Sequence, residues 1–136
     1  MRISQASDFA LRILMLLGHR GEPLTVDAIS SELKLAKSHV MKIIAKLVRA
    51  DILVSTRGRN GGVALNKQPV EVSVGEIVRL IENDFAIVEC MQEGKSSCTF
   101  INRCRLRGVM NNATLAFLAV LDAQSLQSII DPSEAT

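Results

Sequence analysis

The chain has 136 residues, of which 48% are hydrophobic, so it is long enough to bury a core of its own without a disulfide framework. Residues 1–70 carry 11 Lys or Arg against 5 Asp or Glu, a net charge of +6, whereas residues 71–136 carry 5 against 9, a net charge of −4. This division excludes a uniformly charged surface and favours a polyanionic partner for the basic half, although an uneven solvated surface would give the same counts.

The first predicted element is a helix over about residues 4–18, where apolar residues recur at helical spacing. Asp8 and Arg12 interrupt its apolar character and no small-residue cleavage site follows, so neither a signal peptide nor a membrane span is predicted. We therefore expect a cytoplasmic protein whose thiols stay reduced.

Two short helices follow in quick succession. Thr25 is a plausible N-cap for the first of them, which ends near Leu35, and Ser38 is the predicted cap of the second. The second has an apolar stripe and basic residues on its other faces. The spacing is that of a helix-turn-helix.

The next segment predicts a β-hairpin. Residues 52–55 and 63–65 have strand character, and they flank a basic, glycine-rich segment in which Asn60-Gly61 is a strong tight-turn signal because both residues tolerate positive φ. A helix-turn-helix followed by a basic-tipped hairpin is a winged helix.

After Pro69, Ser73 and Glu76 offer a capping box for a helix running to about Asn83. A stretch over about residues 102–122 has the longest apolar periodicity, wider than one small core needs, so this helix is either deeply buried or packed on another subunit. Ser125 is expected to cap a last short turn through Ile130. The predicted organisation is mainly α, with a winged-helix DNA-binding domain over residues 1–70. Residues 71–136 are predicted to hold a cysteine-containing binding loop over about 85–104 and a dimerisation helix over about 102–122.

The segment between these helices holds all three cysteines of the chain, Cys90, Cys98 and Cys104, within fifteen residues. An odd number of thiols argues against a closed disulfide framework. The seven and five intervening residues lack the paired C-x-x-C of zinc knuckles, whereas an iron-sulfur cluster tolerates wider spacing. The pattern leaves three possibilities open, namely a metal or cluster site, redox thiol chemistry and simple packing.

The basic half supplies the predicted DNA contacts. The N-terminal end of a recognition helix, here from Lys37 to Lys42, reaches base edges in the major groove. Lys46 and Arg49 are better placed for phosphate, and arginines of the wing can enter the minor groove. Each lysine taken singly would fit a solvated helix face equally well. The predicted DNA-binding residues are Lys37, Ser38, His39, Lys42, Lys46, Arg57, Arg59, Asn60 and Gly61. No hydrolytic triad, phosphate loop or catalytic carboxylate pair can be placed, so we do not expect an enzyme.

With the wing tip Arg57-Gly58-Arg59-Asn60-Gly61-Gly62, the helix containing Gly75-Glu76-Ile77-Val78, the three-cysteine segment and the long final helix in that order, the chain resembles the iron-sulfur winged-helix transcriptional repressors. The resemblance extends from Met1 to about Ile130. Within that family it is most similar to the nitric-oxide-sensing repressors of the NsrR type, with the iron regulator RirA close behind.

The resemblance implies a homodimer built on the long helix, a palindromic DNA operator, nitric oxide as the signal and a cluster held by Cys90, Cys98 and Cys104. A four-iron cluster is expected, with a two-iron cluster as the alternative. In NsrR-like proteins an aspartate of the partner's first helix supplies the remaining ligand, and Asp8 stands at the matching place; a first-turn carboxylate stabilised by the helix dipole is the simpler interpretation of Asp8. The histidine that ligates the cluster in IscR is replaced by Arg107.

Two other regulators remain compatible with the same residues. One is a repressor of the RirA type that loses its cluster when iron is scarce. The other is a metal-free regulator in which two of the cysteines form a disulfide switch.

Overall fold

The computed structural model describes residues 1–59, 61–94 and 96–130. The helices and strands are α1 (Gln5–Arg20), α2 (Val26–Leu33), α3 (Lys37–Arg49), β1 (Leu53–Thr56), β2 (Gly62–Leu65), α4 (Val74–Ile81), α5 (Arg105–Asp122) and α6 (Leu126–Ile130). Short 3₁₀ helices occupy Pro69–Glu71 and Glu89–Met91. This order confirms the mainly helical winged-helix architecture expected from the sequence.

Hydroxyl side chains begin three of the predicted helices as expected. At α6, Ser125 Oγ accepts a hydrogen bond from the Ser128 N–H at 3.2 Å. Thr25 Oγ1 accepts a hydrogen bond from the Ala28 N–H at 3.1 Å, and Ser73 Oγ accepts one from the Glu76 N–H at 2.9 Å. Each satisfies one of the N–H groups that the first turn of a helix leaves without a backbone partner. At the other end of α1, Gly21 adopts the left-handed conformation with φ 64°, which ends that helix.

The predicted cap of α3 is wrong. The N-cap is Ala36, whose side chain makes no capping hydrogen bond, and Ser38 lies one residue inside the helix with its side chain exposed. The turn between the two helices spans residues 34–36, as the helix-turn-helix spacing predicts, and Lys34 takes a left-handed conformation with φ 55° before helical geometry resumes at Lys37.

The wing is an antiparallel pair in which Leu53 of β1 faces Leu65 of β2. Among the described residues of the connecting turn, positive φ angles fall on Gly58 (110°) and Gly62 (152°). The predicted tight turn at Asn60-Gly61 stays a prediction, because Asn60 lies outside the described residues. Gly62 is also crowded, since a Cβ there would stand 2.6 Å from the Leu24 carbonyl oxygen. The chain needs glycine at this position for both reasons.

The core surrounds α1, which packs against α2, α3, α4, α6 and the wing. Burial of these apolar side chains supplies the main favourable free energy of folding. The largest side chains that are fully buried are Ile13, Leu14, Ile29, Leu47, Ile52, Leu53, Ile77 and Leu126.

The C-terminal end of α5 is joined firmly to this core. The Val74 N–H donates to the Gln124 carbonyl at 2.8 Å and the Leu126 N–H donates to the Val72 carbonyl at 2.7 Å. Toward the N-terminal end of α5 the side chains are mostly exposed, and Leu118 is the one residue of the helix that is buried. Across the part of the chain that the structure describes, no helix combines the length and hydropathy needed to cross a membrane.

Candidate nucleic-acid interface and cysteine segment

Helix α3 presents one apolar face to the core and a polar face to solvent. Val40, Ile43, Ile44 and Leu47 are buried at the spacing of a single helix face. The exposed side chains are those of Lys37, Ser38, His39, Met41, Lys42, Ala45 and Arg49. This face contains no Asp or Glu, so it suits the approach of a polyanion.

Two lysines of α3 have partners within the chain. The Lys37 ammonium lies 2.7 Å from an Asp27 carboxylate oxygen at the start of α2, in an exposed ion pair of the kind that contributes little to stability. Lys46 is half-buried and its ammonium lies 3.5 Å from the Ile81 carbonyl oxygen, at the end of α4. Lys46 therefore lies at the edge of the outward face, whereas Lys42 lies within it.

The arginines of the wing stand free of the core. Arg57 and Arg59 are both exposed in the segment that joins the strands, and the Gly61 N–H donates to the Gly58 carbonyl at 2.9 Å within the same turn. With its positive charge at the tip of a hairpin, the wing can approach a minor groove. The roles of these residues and of Asn60 stay predictions.

The cysteine segment leads directly into α5. All three thiols are half-buried and none is in a disulfide. Cys90 lies in the 3₁₀ helix Glu89–Met91, which packs against α5, and Cys104 is the residue immediately before that helix. The Cys98 N–H donates to Ser96 Oγ at 3.3 Å. The segment is therefore connected to the long helix at both Cys90 and Cys104.

The donor set fits an iron-sulfur cluster in chemistry, since three unpaired thiols lie on one segment and soft thiolates are the ligands such clusters use. Within residues 1–59, 61–94 and 96–130, however, no group of three or more His, Cys, Asp or Glu side chains is gathered closely enough to hold a metal ion. A single chain thus supplies suitable thiol donors, but within the described residues these side chains do not come together as a metal site.

Asp8 is engaged within its own helix. Its carboxylate oxygens accept from Arg12 Nε at 3.1 Å and from an Arg12 terminal nitrogen at 2.6 Å, and both side chains are about half exposed. Asp8 also lies in the first turn of α1, where the helix dipole favours a negative charge. These contacts agree with the simpler interpretation of Asp8 and leave its role as a ligand a prediction.

A series of contacts leads from Asp8 to the recognition helix. The Arg12 guanidinium carbon lies 5.7 Å from the centre of the Phe9 ring, and that ring lies 6.3 Å from the His39 ring in a tilted arrangement. His39 is in the first turn of α3. A displacement of the first turn of α1 would therefore be transmitted through these contacts to the N-terminal end of α3, which is expected to contact bases.

The sequence does not predict the hydrogen bonds that attach the first turn of α1 to the end of α4. Ser7, which is fully buried, donates from Oγ to Glu82 Oε1 at 2.6 Å, and the Ser4 N–H donates to the same oxygen at 2.7 Å. Nothing local in the sequence relates residues 75 positions apart, so this contact became evident only from the fold. It fixes the start of α1, and with it Asp8, to the end of α4.

Comparison with known proteins identifies one family to which this chain is similar. The family model described as "Rrf2: Iron-dependent Transcriptional regulator" matches residues 3–132. The transcriptional regulator NsrR of Bacillus subtilis is 36% identical over 136 residues, covering 98% of this chain and 93% of that protein. The transcriptional repressor NsrR of Streptomyces coelicolor is 33% identical, covering 96% of this chain and 88% of that protein.

Solved structures agree on the fold. CymR, the global cysteine regulator of Bacillus subtilis, superposes with a TM-score of 0.78 at 22% identity, covering 100% of this chain and 99% of that one. IscR of T. potens gives 0.76 at 19% identity, covering 100% and 93%. The relatives are transcriptional regulators, which confirms the expectation of a regulator rather than an enzyme.

Proposed function

Because this chain belongs to the Rrf2 family of transcriptional regulators, we propose that it is a homodimeric iron-sulfur repressor that leaves a palindromic operator when nitric oxide is present. The observation that carries the proposal is the set of three half-buried, unpaired thiols on a segment continuous with α5. The nitric-oxide signal rests on the resemblance to NsrR in cysteine spacing and in Asp8. We place the protein in the cytoplasm, where thiolates stay reduced.

Cys90, Cys98 and Cys104 would hold a cluster, which we propose to have four irons, and Asp8 of the partner subunit would complete it. The bound cluster would supply iron that reacts with nitric oxide. The chain's own residues would transmit the resulting structural change from the cluster to the recognition helix. Asp8 accepts from Arg12, Arg12 lies over Phe9, and Phe9 contacts His39, so a change at Asp8 has a direct route to α3.

The surface of α5 supports a homodimer. Leu106, Met110, Ala113, Phe117 and Val120 follow one another at alternating spacings of four and three residues, the heptad pattern of helices that pair with each other. Leu106 is 55% exposed and Val120 is 65% exposed. Two copies of this stripe would cover each other, which is why we propose a second copy of the chain as the partner.

A cleft beside the stripe points to the same partner. It has a volume of about 760 Å³, is lined mainly by apolar side chains, and lies among residues 1–3, α4 and α5. Ala113 and Phe117 belong both to this cleft and to the heptad stripe. Side chains of a second copy packed along α5 would be next to the cleft and could fill it.

Dimer geometry links the cysteine segment to DNA affinity. Two recognition helices enter successive major grooves only when they are held about 34 Å apart. The wing and Lys42 of both subunits would contact DNA at the same time only while this spacing is kept. A modest rotation at the α5 interface would therefore weaken binding to a palindrome without unfolding either winged helix.

The proposal is tested on anaerobically purified protein, with iron and sulfide counted per chain and the absorption spectrum recorded as nitric oxide is added. Duplexes that the protein selects from a randomised pool serve as the DNA, and binding is followed by fluorescence anisotropy. We expect a brown protein whose visible absorption bleaches as DNA is released. Cys98→Ser is the matched variant that should purify without the cluster.

Other outcomes would replace the proposal. Loss of iron and DNA binding under a chelator, with no response to nitric oxide, would indicate a repressor of iron availability. A colourless protein whose DNA binding depends on oxidation of its thiols would indicate a disulfide switch. Retention of DNA affinity after complete nitrosylation would reject nitric-oxide sensing.

A further inference from the structure

The outward face of α3 carries one large apolar side chain, that of Met41, which is 52% exposed. It belongs to a row with Lys37 and Ala45, at spacings of four residues, so the three side chains lie one above the other along the helix. The buried side of α3 is made by other residues, and Met41 is not part of the core. The exposed part of this side chain is therefore free to contact a partner.

Single exposed apolar residues are common on protein surfaces. Met41 is distinguished by its surroundings, because it is the fifth residue of a recognition helix and its neighbours Lys37, Ser38 and Lys42 are all polar and exposed. Side chains near the N-terminal end of such a helix contact base edges rather than phosphates. Met41 is thus placed where sequence is read.

The major groove offers one apolar group that a thioether can contact. Among the base edges in this groove, only thymine presents a methyl group, at C5, and the other edges present hydrogen-bond donors and acceptors. Met can neither donate strongly nor accept strongly, but its unbranched side chain adapts to an irregular apolar surface. The chemistry of Met41 therefore matches thymine better than any other base.

We propose that Met41 is a specificity-determining residue that packs on the C5-methyl group of one thymine in each half-site of the operator. The proposal rests on the placement of α3 in the major groove. Ala45, one turn further along the same row, is small enough to leave the methyl group room beside Met41. Cytosine at this position would lack the methyl group and would be disfavoured.

Replacing thymine by uracil removes this methyl group and nothing else. In duplexes selected by the wild-type protein, each thymine of the half-site is replaced in turn, and the dissociation constant is measured by anisotropy. We expect uracil at one position to weaken wild-type binding roughly fourfold, as burial of one methyl group predicts. Met41→Ala should lose a similar factor on the thymine duplex and then be insensitive to uracil at that position.

Two further variants make the test specific. Met41→Leu keeps an apolar side chain of similar size and should remain sensitive to uracil. Val70→Ala removes an apolar side chain that is 68% exposed outside α3 and should respond to uracil as wild type does. Because Met41 is exposed and outside the core, its variants should retain the wild-type circular dichroism spectrum.

The results that would overturn the role of Met41 can be distinguished from those that would overturn the proposed function. Enrichment of a palindrome whose thymines can all be replaced without loss would overturn the role of Met41 alone, as would a Met41→Ala protein with the wild-type response to uracil. If the protein enriches no palindrome from the randomised pool, the placement of α3 is wrong and both proposals fall.

Discussion

The hydroxyl of Ser7 donates a 2.6 Å hydrogen bond to the carboxylate of Glu82, and so joins the first turn of α1 to the residue that ends α4. Ser7 is completely buried, and Glu82 also accepts from the Ser4 N–H. Hydrogen bonds to charged acceptors are among the stronger ones in proteins. This contact determines where Asp8 stands relative to the rest of the winged helix.

Ser7→Ala should lower the free energy of unfolding by about 2 kcal/mol, because it removes a buried hydrogen bond to an ionised group. The change is measured by urea denaturation monitored by circular dichroism. Ser31→Ala is a suitable control, since Ser31 is exposed on α2 and its substitution should change stability by a few tenths of a kcal/mol at most. Equal effects of the two substitutions would contradict the role assigned to Ser7.

The contribution of Glu82 should disappear in acid. Burial acts to raise the pKa of this carboxyl, but the hydrogen bonds from Ser7 and Ser4 together hold its pKa below the ordinary value of 4.5. A carboxylate whose pKa is depressed by folding stabilises the folded state above its ordinary pKa and loses that effect as the pH falls through the folded-state pKa. We expect the stability difference between wild type and Glu82→Gln to be largest at about pH 6 and to shrink toward about pH 3. A difference that is constant with pH would refute this assignment.

Gly75→Ala should destabilise the junction of α4 and α5. A Cβ at Gly75 would stand 2.8 Å from the Asp122 backbone nitrogen and would also overlap the Asp122 side chain, which is paired with Arg79. Forcing the helices apart should cost about 1–3 kcal/mol, measured by thermal unfolding. Gly108→Ala is the matched control, because a Cβ there has nothing within 4 Å, and it should be neutral or slightly stabilising.

The salt dependence of DNA binding should distinguish two lysines of α3. Lys42→Ala should reduce the slope of log K against log salt by about 0.9 for each phosphate contact that is lost. Lys46→Ala should reduce it less, because the Lys46 ammonium lies 3.5 Å from the Ile81 carbonyl at the edge of the face. Anisotropy titrations at several salt concentrations give both slopes. A larger change for Lys46 than for Lys42 would favour the phosphate contact predicted from the sequence.

Val120→Glu should disrupt the proposed dimer. It places a carboxylate in the heptad stripe of α5, where pairing would bury it, so we expect the dimer dissociation constant to rise about 30-fold or more. Leu115→Glu is the control, since Leu115 is 56% exposed on a different side of the helix and should leave association unchanged. Sedimentation velocity over a range of concentrations measures both. A wild-type chain that stays monomeric at every concentration would reject the homodimer.

Local signals in the sequence predicted much of this fold and failed where geometry depends on neighbours. Thr25 and Ser73 are predictable as caps because a hydroxyl just before an apolar helical period can accept a hydrogen bond from a first-turn N–H. The prediction of Ser38 as a cap is wrong because Lys34 adopts a left-handed conformation, which no local rule favours for lysine, and α3 then begins at Lys37.

The candidate site also contains some features that the sequence predicts and others that depend on the fold. The basic residues of α3 and the clustering of Cys90, Cys98 and Cys104 can be predicted from the sequence, because they depend only on residue type and spacing. The exposure of Met41 follows from the same helical period, since Met41 lies on the polar side of α3 among charged residues. The Ser7–Glu82 contact and the position of Lys46 beside Ile81 depend on how α1, α3 and α4 pack, and packing is not encoded within any one segment.

Helix α5 has the geometry of a lever arm, because it is attached to the core near Asp122 and is mostly exposed from there to Arg105. Eighteen residues at 1.5 Å each give an arm of about 27 Å. A tilt of about 5° at the fastened end would then move Cys104 by roughly 2 Å, and the same arm would turn a small movement of the cysteine segment into torque at Arg79 and Gly75. If the proposed function holds, the stiffness of that one junction would set how much of a chemical event at the cysteines reaches the winged helix.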